Sequence, residues 1–486
     1  MHKYLVIFRD IHKEFSVPEL LSVYSLVIRR QKDIVKPKLQ EDFFAKTIRS
    51  ASCDLETDTK KIRGVFYFAN FQSDQEAFLV GSRCVLVRAI IRLWSHARSH
   101  ELCLKQLQSL GKDVFKELLL SEKESFRCRL FSYGRKYSQS ETVNRINFYS
   151  SILQQFPGKV NLQNFKHEIW IVEDSFPKAG HTNEPSRIDI PNHVYAGLLI
   201  AEGCVKQVQK YTLKKRNFIG TTSMDAELAF IMANFALADN LKLILDPFVG
   251  TASILISSAA FGAETLGSDL SFTVLKGKNK EENIVSNFRQ YKLQQPLGIV
   301  RCDILHNPWR HESIMSSFTS FKCHGWLDAI VADLPYGVRE SSREFVGEKL
   351  HSRFVLNHIP KTSRVGLDNL VSSLFDFATS SLVGGGRLVF WLPCTDEFSE
   401  RDKTEICHPS FISIAACRQI LTCRFHRVLF VFERKAWEDD KLYDSDMSGA
   451  FLHQGPFYKD FAAKLFREEK RTEDALWRKG QWHRIE

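Results

Sequence analysis

Four short apolar segments in the second half of the chain are each followed by an aspartate, and this repeat constrains the fold more than any other feature. The four aspartates are Asp246, Asp269, Asp303 and Asp333. Apolar runs of this length, separated by helical segments, are typical of strands buried in a parallel sheet. One aspartate after a strand is usually a cap. Four in succession instead indicate a crevice at the carboxyl ends of the strands, where ligands of open α/β sheets bind.

The segments around these four strands predict the rest of the sheet. Ser223 is a suitable N-cap for a helix over 225–238 that precedes the first strand. We predict an α/β fold with a seven-stranded, doubly wound, Rossmann-like sheet that ends in a β-hairpin. The elements predicted downstream are a helix over 367–382 ended by the glycines 384–386, a strand over 387–394, a helix over 411–417, and strands over 421–426 and 427–434.

The turn after the first of these strands has the features of a nucleotide-binding turn. Gly250 follows Asp246 and lies 19 residues before Asp269. In Rossmann-type units the acidic residue that binds a ribose hydroxyl follows the glycine turn by about 20 residues. Because only one glycine is present, the turn suits S-adenosylmethionine, which has no phosphate, better than a dinucleotide. Asp303 could accept a hydrogen bond from the adenine amino group.

The fourth aspartate begins the sequence Asp333-Leu334-Pro335-Tyr336-Gly337, which fits methylation of an exocyclic amine on a base. Such an amine is a poor nucleophile because its lone pair is delocalised into the ring. The Asp333 carboxylate and the Leu334 carbonyl, in a turn fixed by Pro335, could accept its two protons and aim the lone pair at a methyl donor. Tyr336 would stack on the base. The alternative is a strand-ending turn with a capping aspartate.

Basic residues occur in two regions that could contact phosphates. A predicted strand over 125–133 carries arginines on one face, and a long connection over 339–367 is predicted to cover bound RNA. The net charge of +10 suits a polyanionic partner. The alternative is a solvated basic face. The candidate RNA-binding residues are Arg127, Arg129, Arg135, Lys136, Arg145, Lys159, Arg343 and Arg353.

The composition disfavours membrane, secreted and zinc-binding classes. No run approaches the ~20 apolar residues of a membrane span, and the opening apolar run, 4–8, is too short for a signal peptide. The 11 cysteines form no C-x-x-C pair, so we expect no intrinsic metal site. Unpatterned cysteines fit reduced thiols in the cytosol or nucleus, and we expect a cytoplasmic protein.

The chain resembles the catalytic subunits of the eukaryotic tRNA guanosine-10 N2-methyltransferase family. The resemblance is specific over 216–340, on the run 217–238, the turn that begins at Asp246, Arg301-Cys302-Asp303 and the segment 328–340. The run Gly158-Lys159-Val160-Asn161-Leu162, which leads to a predicted strand, is similar to part of that family's THUMP RNA-binding domain. The resemblance implies S-adenosylmethionine as cofactor, tRNA as substrate, and a small zinc-binding activator subunit as partner.

The resemblance also implies site residues and a domain order. The catalytic residues would be Asp333, Leu334, Pro335 and Tyr336, and the donor would be held by Thr222, Met224, Asp225, Asp246, Phe248, Gly250, Thr251, Asp269 and Asp303. Two positions depart from the family: Leu334 replaces a proline and Ala252 replaces a glycine. The expected domains are an N-terminal α/β subdomain (1–58), a THUMP-like RNA-binding domain (59–175), a linker (176–212), a methyltransferase domain (213–435) and a charged extension (436–486).

Three alternatives stay open at this point. A DNA or protein methyltransferase could use the same turn, because adenine and glutamine amide present a similar planar nitrogen. An RNA-binding scaffold with a decayed pocket is suggested by Leu334 and Ala252. A purely structural subunit would have to explain four aspartates in register.

Overall fold

The residues described by the computed structural model belong to two units. They are 2–34, 65–110, 124–156, 158–175, 191–306, 308–309, 325–336, 343–345, 362–396, 398–423 and 425–436. The N-terminal unit comprises Met1–Ile11 and Val27–Cys204, and the C-terminal unit comprises His12–Leu26 and Val205–Glu486. The first helix, α1 (Lys13–Ile34), therefore contributes residues to both.

The N-terminal unit contains a six-stranded sheet of order β2-β1-β3-β6-β5-β4. Its strands are β1 (His2–Phe8), β2 (Phe66–Phe71), β3 (Val87–Ala97), β4 (Phe126–Tyr133), β5 (His167–Asp174) and β6 (His193–Glu202). The pairs are antiparallel except for β4 and β5, which are parallel. The helices are α2 (Asp74–Arg83), α3 (His100–Ser109), α4 (Gln139–Asn147) and α5 (Ser150–Leu153).

Local sequence explains much of this unit. Serines 73, 99 and 138 accept hydrogen bonds from backbone N–H groups in the first turns of α2, α3 and α4. The prediction that β4 carries its arginines on one face is confirmed, because the alternating residues Phe126, Cys128 and Leu130 pack into one core cluster. Two expectations need correction. β6 lies within the expected linker 176–212 yet is a central strand, and β1, from the expected subdomain 1–58, pairs with β2 and β3 in the same sheet.

The C-terminal unit contains the predicted seven-stranded sheet, in the order β14-β15-β13-β10-β7-β8-β9. Its strands are β7 (Leu243–Asp246), β8 (Glu264–Asp269), β9 (Gly298–Arg301), β10 (Leu327–Asp333), β13 (Leu382–Cys394), β14 (Phe411–Ile420) and β15 (His426–Arg434), while β11 (Arg343–Phe345) and β12 (Thr362–Arg364) form a separate pair. The five strands from β13 to β9 are parallel, β15 runs in the opposite direction beside β13, and β14 pairs antiparallel with β15. The helices are α6 (Val205–Val208), α7 (Ala226–Phe235), α8 (Ser253–Ala260), α9 (Phe272–Lys276), α10 (Ile284–Gln290), α11 (Leu367–Ser381) and α12 (Asp402–Glu405).

Three local predictions in this unit were wrong. The predicted helix 411–417 is part of β14, which pairs with β15 along its whole length, so cross-strand pairing overrides a weak helical pattern. Of the predicted strand 421–426, residues 421–423 and 425 lie in the connection between β14 and β15, where the Leu421 N–H donates to the Phe425 carbonyl, and His426 begins β15. The glycines 384–386 do not end a helix, because α11 stops at Ser381 and the glycines lie in β13, where its register with β10 shifts.

The start of α1 is part of the C-terminal core. The ring of Phe15 lies 5.8 Å from the ring of Trp391 on β13. The buried Glu19 carboxylate accepts a hydrogen bond of 2.7 Å from the amide of buried Asn234 on α7. Lys403 donates to Glu14 at 3.0 Å. A segment from the N-terminus of the chain therefore completes the core beneath β13.

Candidate active site

The structure brings the four predicted aspartates to one edge of the C-terminal sheet. Asp246, Asp269 and Asp333 are the last residues of the parallel strands β7, β8 and β10. Asp303 follows β9, which continues the parallel order beyond β8. Because neighbouring parallel strands end on the same side, all four aspartates lie at this edge of the sheet, where open α/β sheets bind ligands in a crevice.

The turn after β7 is organised by two of these carboxylates. The Phe248 N–H donates to Asp246 at 3.0 Å, and the Gly250 N–H donates to Asp269 at 2.9 Å. Asp269 also accepts from the Ser271 N–H at 2.8 Å, so it ties this turn to the segment after β8. Gly250 has a φ of +48°, and a side chain added there would meet only the Phe248 carbonyl, at 4.0 Å. The turn thus leaves open space over its backbone, where a ligand can approach closely.

Asp246, at the end of β7, is a buried acid with a perturbed pKa. It is only 1% exposed. Burial raises its pKa well above the ordinary range, the Phe248 N–H opposes this, and repulsion from Asp269 and Asp333 adds to the rise. A cationic ligand placed beside Asp246 would relieve this penalty, because an opposite charge favours the ionised form. S-adenosylmethionine carries both a sulfonium and an ammonium group and therefore fits the donor set.

Ala252 precedes α8 in a left-handed conformation, with a φ of 65°. This conformation costs a residue with a β-carbon roughly 1 kcal/mol or more, and glycine avoids the cost. The resemblance predicts glycine here, and the backbone supplies the reason. Ala252 is fully buried and its N–H donates to the Val249 carbonyl at 2.7 Å, so the turn is kept despite the methyl group.

The segment before α7 packs against this turn. The Ser223 hydroxyl accepts from the Gly220 N–H at 2.8 Å and lies 2.6 Å from the Thr251 hydroxyl. Ser223 is therefore not the N-cap that the sequence predicted. Asp225 takes that place by accepting from the Glu227 N–H at 2.8 Å. Of the other two residues implied here, Met224 is buried and Thr222 is exposed.

Asp303, which follows β9, has a hydrogen-bond partner that the sequence did not indicate. Asp303 is buried and accepts a hydrogen bond of 2.6 Å from the His306 N–H. The ring Nδ1 of His306 lies 3.1 Å from the same carboxylate oxygen. Asp303 is thereby fixed at the edge of the crevice. Over the described residues, no group of three or more His, Cys, Asp or Glu side chains could hold a metal ion.

The predicted catalytic turn begins where β10 ends. The Tyr336 hydroxyl donates to Oδ1 of Asp333. Burial and then the neighbouring Asp333 carboxylate raise the pKa of Tyr336, so its hydroxyl keeps the proton that it donates. Leu334 is 2% exposed and belongs to the core cluster under the sheet, so its side chain fills the core rather than the crevice. Gly337 lies outside the described residues.

Two residues at this turn were missed because they come from the distant hairpin. The ring of Phe425 packs edge-on against Tyr336, with 6.1 Å between centroids. A guanidinium nitrogen of Arg427 lies 3.6 Å from Oδ2 of Asp333 and donates to the Tyr336 oxygen at 3.4 Å. The sequence predicted only a closing strand there, with no signal of a site.

The described basic residues that were predicted to bind RNA fall into two groups, those in ion pairs with glutamates and those that are exposed or lie over an aromatic ring. Arg127 and Arg129 contact Glu168, and Arg145 contacts the fully buried Glu173 at 3.1 Å. Lys136 and Lys159 are exposed, and Arg135 is half-buried over the ring of Tyr137. The side chain of Arg343 and the whole of Arg353 lie outside the described residues.

Comparison with known proteins is consistent across the chain. Residues 47–205 match the model of the Tmrp11 THUMP N-terminal domain, and residues 214–367 match that of the RMKL-like methyltransferase domain. The protein of Rattus norvegicus named tRNA (guanine(10)-N(2))-methyltransferase TRMT11 is 30% identical, with 96% of this chain and 95% of that protein covered. Relatives of the same name are 30% identical in Dictyostelium discoideum, over 99% and 92%, and 32% identical in Xenopus laevis, over 78% of both. Within the described part of the chain, no helix is long and apolar enough to cross a membrane.

Proposed function

Because the chain belongs to the TRMT11 family of tRNA (guanine(10)-N(2))-methyltransferases, we propose that it transfers a methyl group from S-adenosylmethionine to the N2 amine of guanosine 10 in tRNA. The observation that carries this proposal is the position of Asp333 and Tyr336. They lie in contact at the end of β10, on the sheet edge where the buried Asp246 and the Gly250 turn offer a donor site.

The donor would be held along the strand ends β7, β8 and β9. Asp246 and the open backbone at Gly250 suit its cationic amino-acid end, Asp269 suits the ribose, and Asp303 suits the adenine amino group. The remaining contacts would come from Phe248, Thr251, Thr222, Met224 and Asp225. The chemistry supplied by the bound donor is an electrophilic methyl group on a sulfonium.

The protein's own residues would orient the nucleophile. The Asp333 carboxylate and the Leu334 carbonyl accept hydrogen bonds from the two N–H groups of the guanine amine, which draws its lone pair out of the ring plane. The bound donor would supply the methyl group directly to nitrogen, with its sulfur as the leaving group, and the extra proton of the amine would leave for solvent. The ring of Tyr336 supports the base by stacking. No covalent enzyme intermediate is required.

The test is mass spectrometry of nucleosides after incubation of the protein with tRNA and labelled donor. Labelled N2-methylguanosine is expected from the wild type and a loss of at least about 100-fold from Asp333→Ala. Asp328→Ala is the matched control, because Asp328 lies on the same strand but away from the crevice, where its carboxylate accepts from the Lys242 ammonium at 2.8 Å. It should retain transfer. Donor binding without transfer in the wild type would instead favour the scaffold alternative.

We also propose that a small zinc-binding activator subunit forms a heterodimer with this chain. The support is the family resemblance, together with the exposed apolar side chains of Phe272 and Leu297 beside β9, which is an edge strand of the sheet among the described residues. The test is co-expression with such a subunit and size-exclusion chromatography. Failure to co-elute, with no effect on transfer, would contradict the proposal.

A cytoplasmic location is also proposed, on the basis of the unpatterned cysteines, and among the described residues these form no disulfide bond. Fractionation of cells that express the tagged chain would test it.

A further inference from the structure

Arg427 is held rigidly beside the catalytic turn by side chains that are not part of it. It is the second residue of β15, and its side chain is 12% exposed. Its Nε donates to the side-chain oxygen of Gln419, its cross-strand neighbour on β14, at 2.8 Å. Its guanidinium lies 4.1 Å from the centre of the Trp391 ring. Stacking and hydrogen bonding together leave the guanidinium one orientation, with Nη1 aimed at Asp333 and Tyr336.

The surface under Arg427 is itself fixed. Trp391 is fully buried, and its indole N–H donates to the sulfur of Met232 at 3.1 Å. Phe15 packs against the same indole. A planar guanidinium over a buried ring is a stable pairing that lysine cannot reproduce.

The contacts with the catalytic turn form a triangle. Tyr336 donates to Oδ1 of Asp333, Arg427 lies 3.6 Å from Oδ2, and Arg427 also donates to the Tyr336 oxygen at 3.4 Å. Each side chain therefore restrains the other two. The guanidinium also places a positive charge beside Asp333, which itself repels the buried Asp246. Because arginine does not lose its proton in proteins, this charge is permanent.

We propose that Arg427 is a positioning residue for methyl transfer, which holds the Asp333 carboxylate and the Tyr336 ring in the orientation that the guanine amine requires. The inference rests on the proposed function. It predicts that Arg427 acts on the rate of transfer and not on binding of the methyl donor, whose implied residues lie along the other strands. A displacement of about 1 Å at a reacting group can cost about 100-fold in rate.

The experiment compares Arg427→Met and Arg427→Lys in the full chain, with any required partner present. For Arg427→Met we expect kcat to fall by about 10- to 100-fold, with the dissociation constant of S-adenosylmethionine unchanged within twofold. Arg427→Lys should recover part of the loss, because it restores the charge without the planar stack.

Arg434→Met is the matched control. Arg434 is also on β15 and also lies near an aromatic ring, at 5.8 Å from Phe411, but it donates to the backbone carbonyls of Thr379 and Ser410. It should lower the melting temperature while the folded enzyme keeps its kcat. An Arg427→Met enzyme with wild-type kcat, or with donor affinity and melting temperature lost in proportion to kcat, would overturn the proposal. A wild type that makes no N2-methylguanosine would instead contradict the proposed function.

A double-mutant cycle with Tyr336→Phe tests the triangle itself. The phenylalanine keeps the ring but removes the hydroxyl that contacts both Asp333 and Arg427. If the three side chains act as one unit, the double variant should lose less than the product of the two single losses. Strict multiplication of the two effects would show that Arg427 acts independently of Tyr336 and would contradict this part of the proposal.

Discussion

Phe15 offers a direct test of the view that the start of α1 completes the C-terminal core. Its ring is 1% exposed and packs against the fully buried Trp391 of β13. Truncation of a buried phenylalanine to alanine removes its burial energy and leaves a cavity, and together these cost about 3 to 5 kcal/mol. We expect Phe15→Ala to lower the free energy of unfolding of the C-terminal unit by an amount in this range.

The same helix supplies the control. Leu21 lies in the part of α1 that belongs to the C-terminal unit but is 38% exposed, so Leu21→Ala should cost less than about 1 kcal/mol. Urea denaturation gives the two free energies, and hydrogen exchange of β13 and β15 locates the loss. Equal costs for the two variants would refute the packing argument.

Phe15→Ala should also lower the rate of methyl transfer in the enzyme that remains folded. The indole of Trp391 carries the Arg427 guanidinium, so a looser indole gives Arg427 a wider range of positions. Phe15 packs against Trp391 on β13, whereas the implied donor residues lie just before α7 and at the ends of β7, β8 and β9, so donor affinity should stay constant. A rate that follows only the folded fraction would show that the indole is held well enough without Phe15.

Three further predictions follow from the crevice and the basic residues. Asp246→Asn should raise the melting temperature at pH 7, and it should weaken donor binding as measured by calorimetry. The raised pKa of Asp246 means that wild-type stability declines as the pH rises above about 4, so the gain in melting temperature should vanish at that pH. A gain that does not depend on pH would contradict this account. Ala252→Gly should change the free energy of unfolding, measured in urea, by less than about 1 kcal/mol, because relief of the left-handed strain is offset by backbone entropy and by the lost buried methyl group. Ala252→Val should lower that free energy by more than about 2 kcal/mol. Lys136→Gln and Lys159→Gln should each weaken tRNA binding and lower its salt dependence, whereas Arg145→Gln should mainly lower the melting temperature by depriving buried Glu173 of a partner; filter binding at several salt concentrations separates the two effects.

The part of the fold that the sequence predicted is the part with local signals. An apolar run that ends in an aspartate marks both a buried strand and its carboxyl end, so Asp246, Asp269 and Asp333 indicated the strands and the crevice together. The glycine of the Gly250 turn likewise marked a position that requires a positive φ. These features depend on a few residues that are neighbours in the sequence, so they can be predicted without knowledge of the rest of the chain.

The errors have the opposite character. The weak helical periodicity of residues 411–417 predicts a helix when it is considered alone, whereas β14 is formed by its pairing with β15. The role of β6 in the first sheet depends on β3 and β5, which are distant along the chain. The docking of α1 joins Glu19 to Asn234, 215 residues away. Tertiary pairing decides such elements, and it leaves little trace in a local pattern.

Arg427 shows why the antiparallel strand matters to the site. In the parallel part of the sheet, only residues at the carboxyl end of a strand reach the crevice. β15 runs in the opposite direction, so its first residues are the ones that lie at that edge. Asp333 is aligned with Trp391 on β13, Trp391 with Leu429 on β15, and Arg427 lies two residues further toward the crevice. The reversed strand therefore brings a cation to the edge where β7, β8 and β10 end in aspartates, and this direction of β15 is what allows Arg427 and Asp333 to meet.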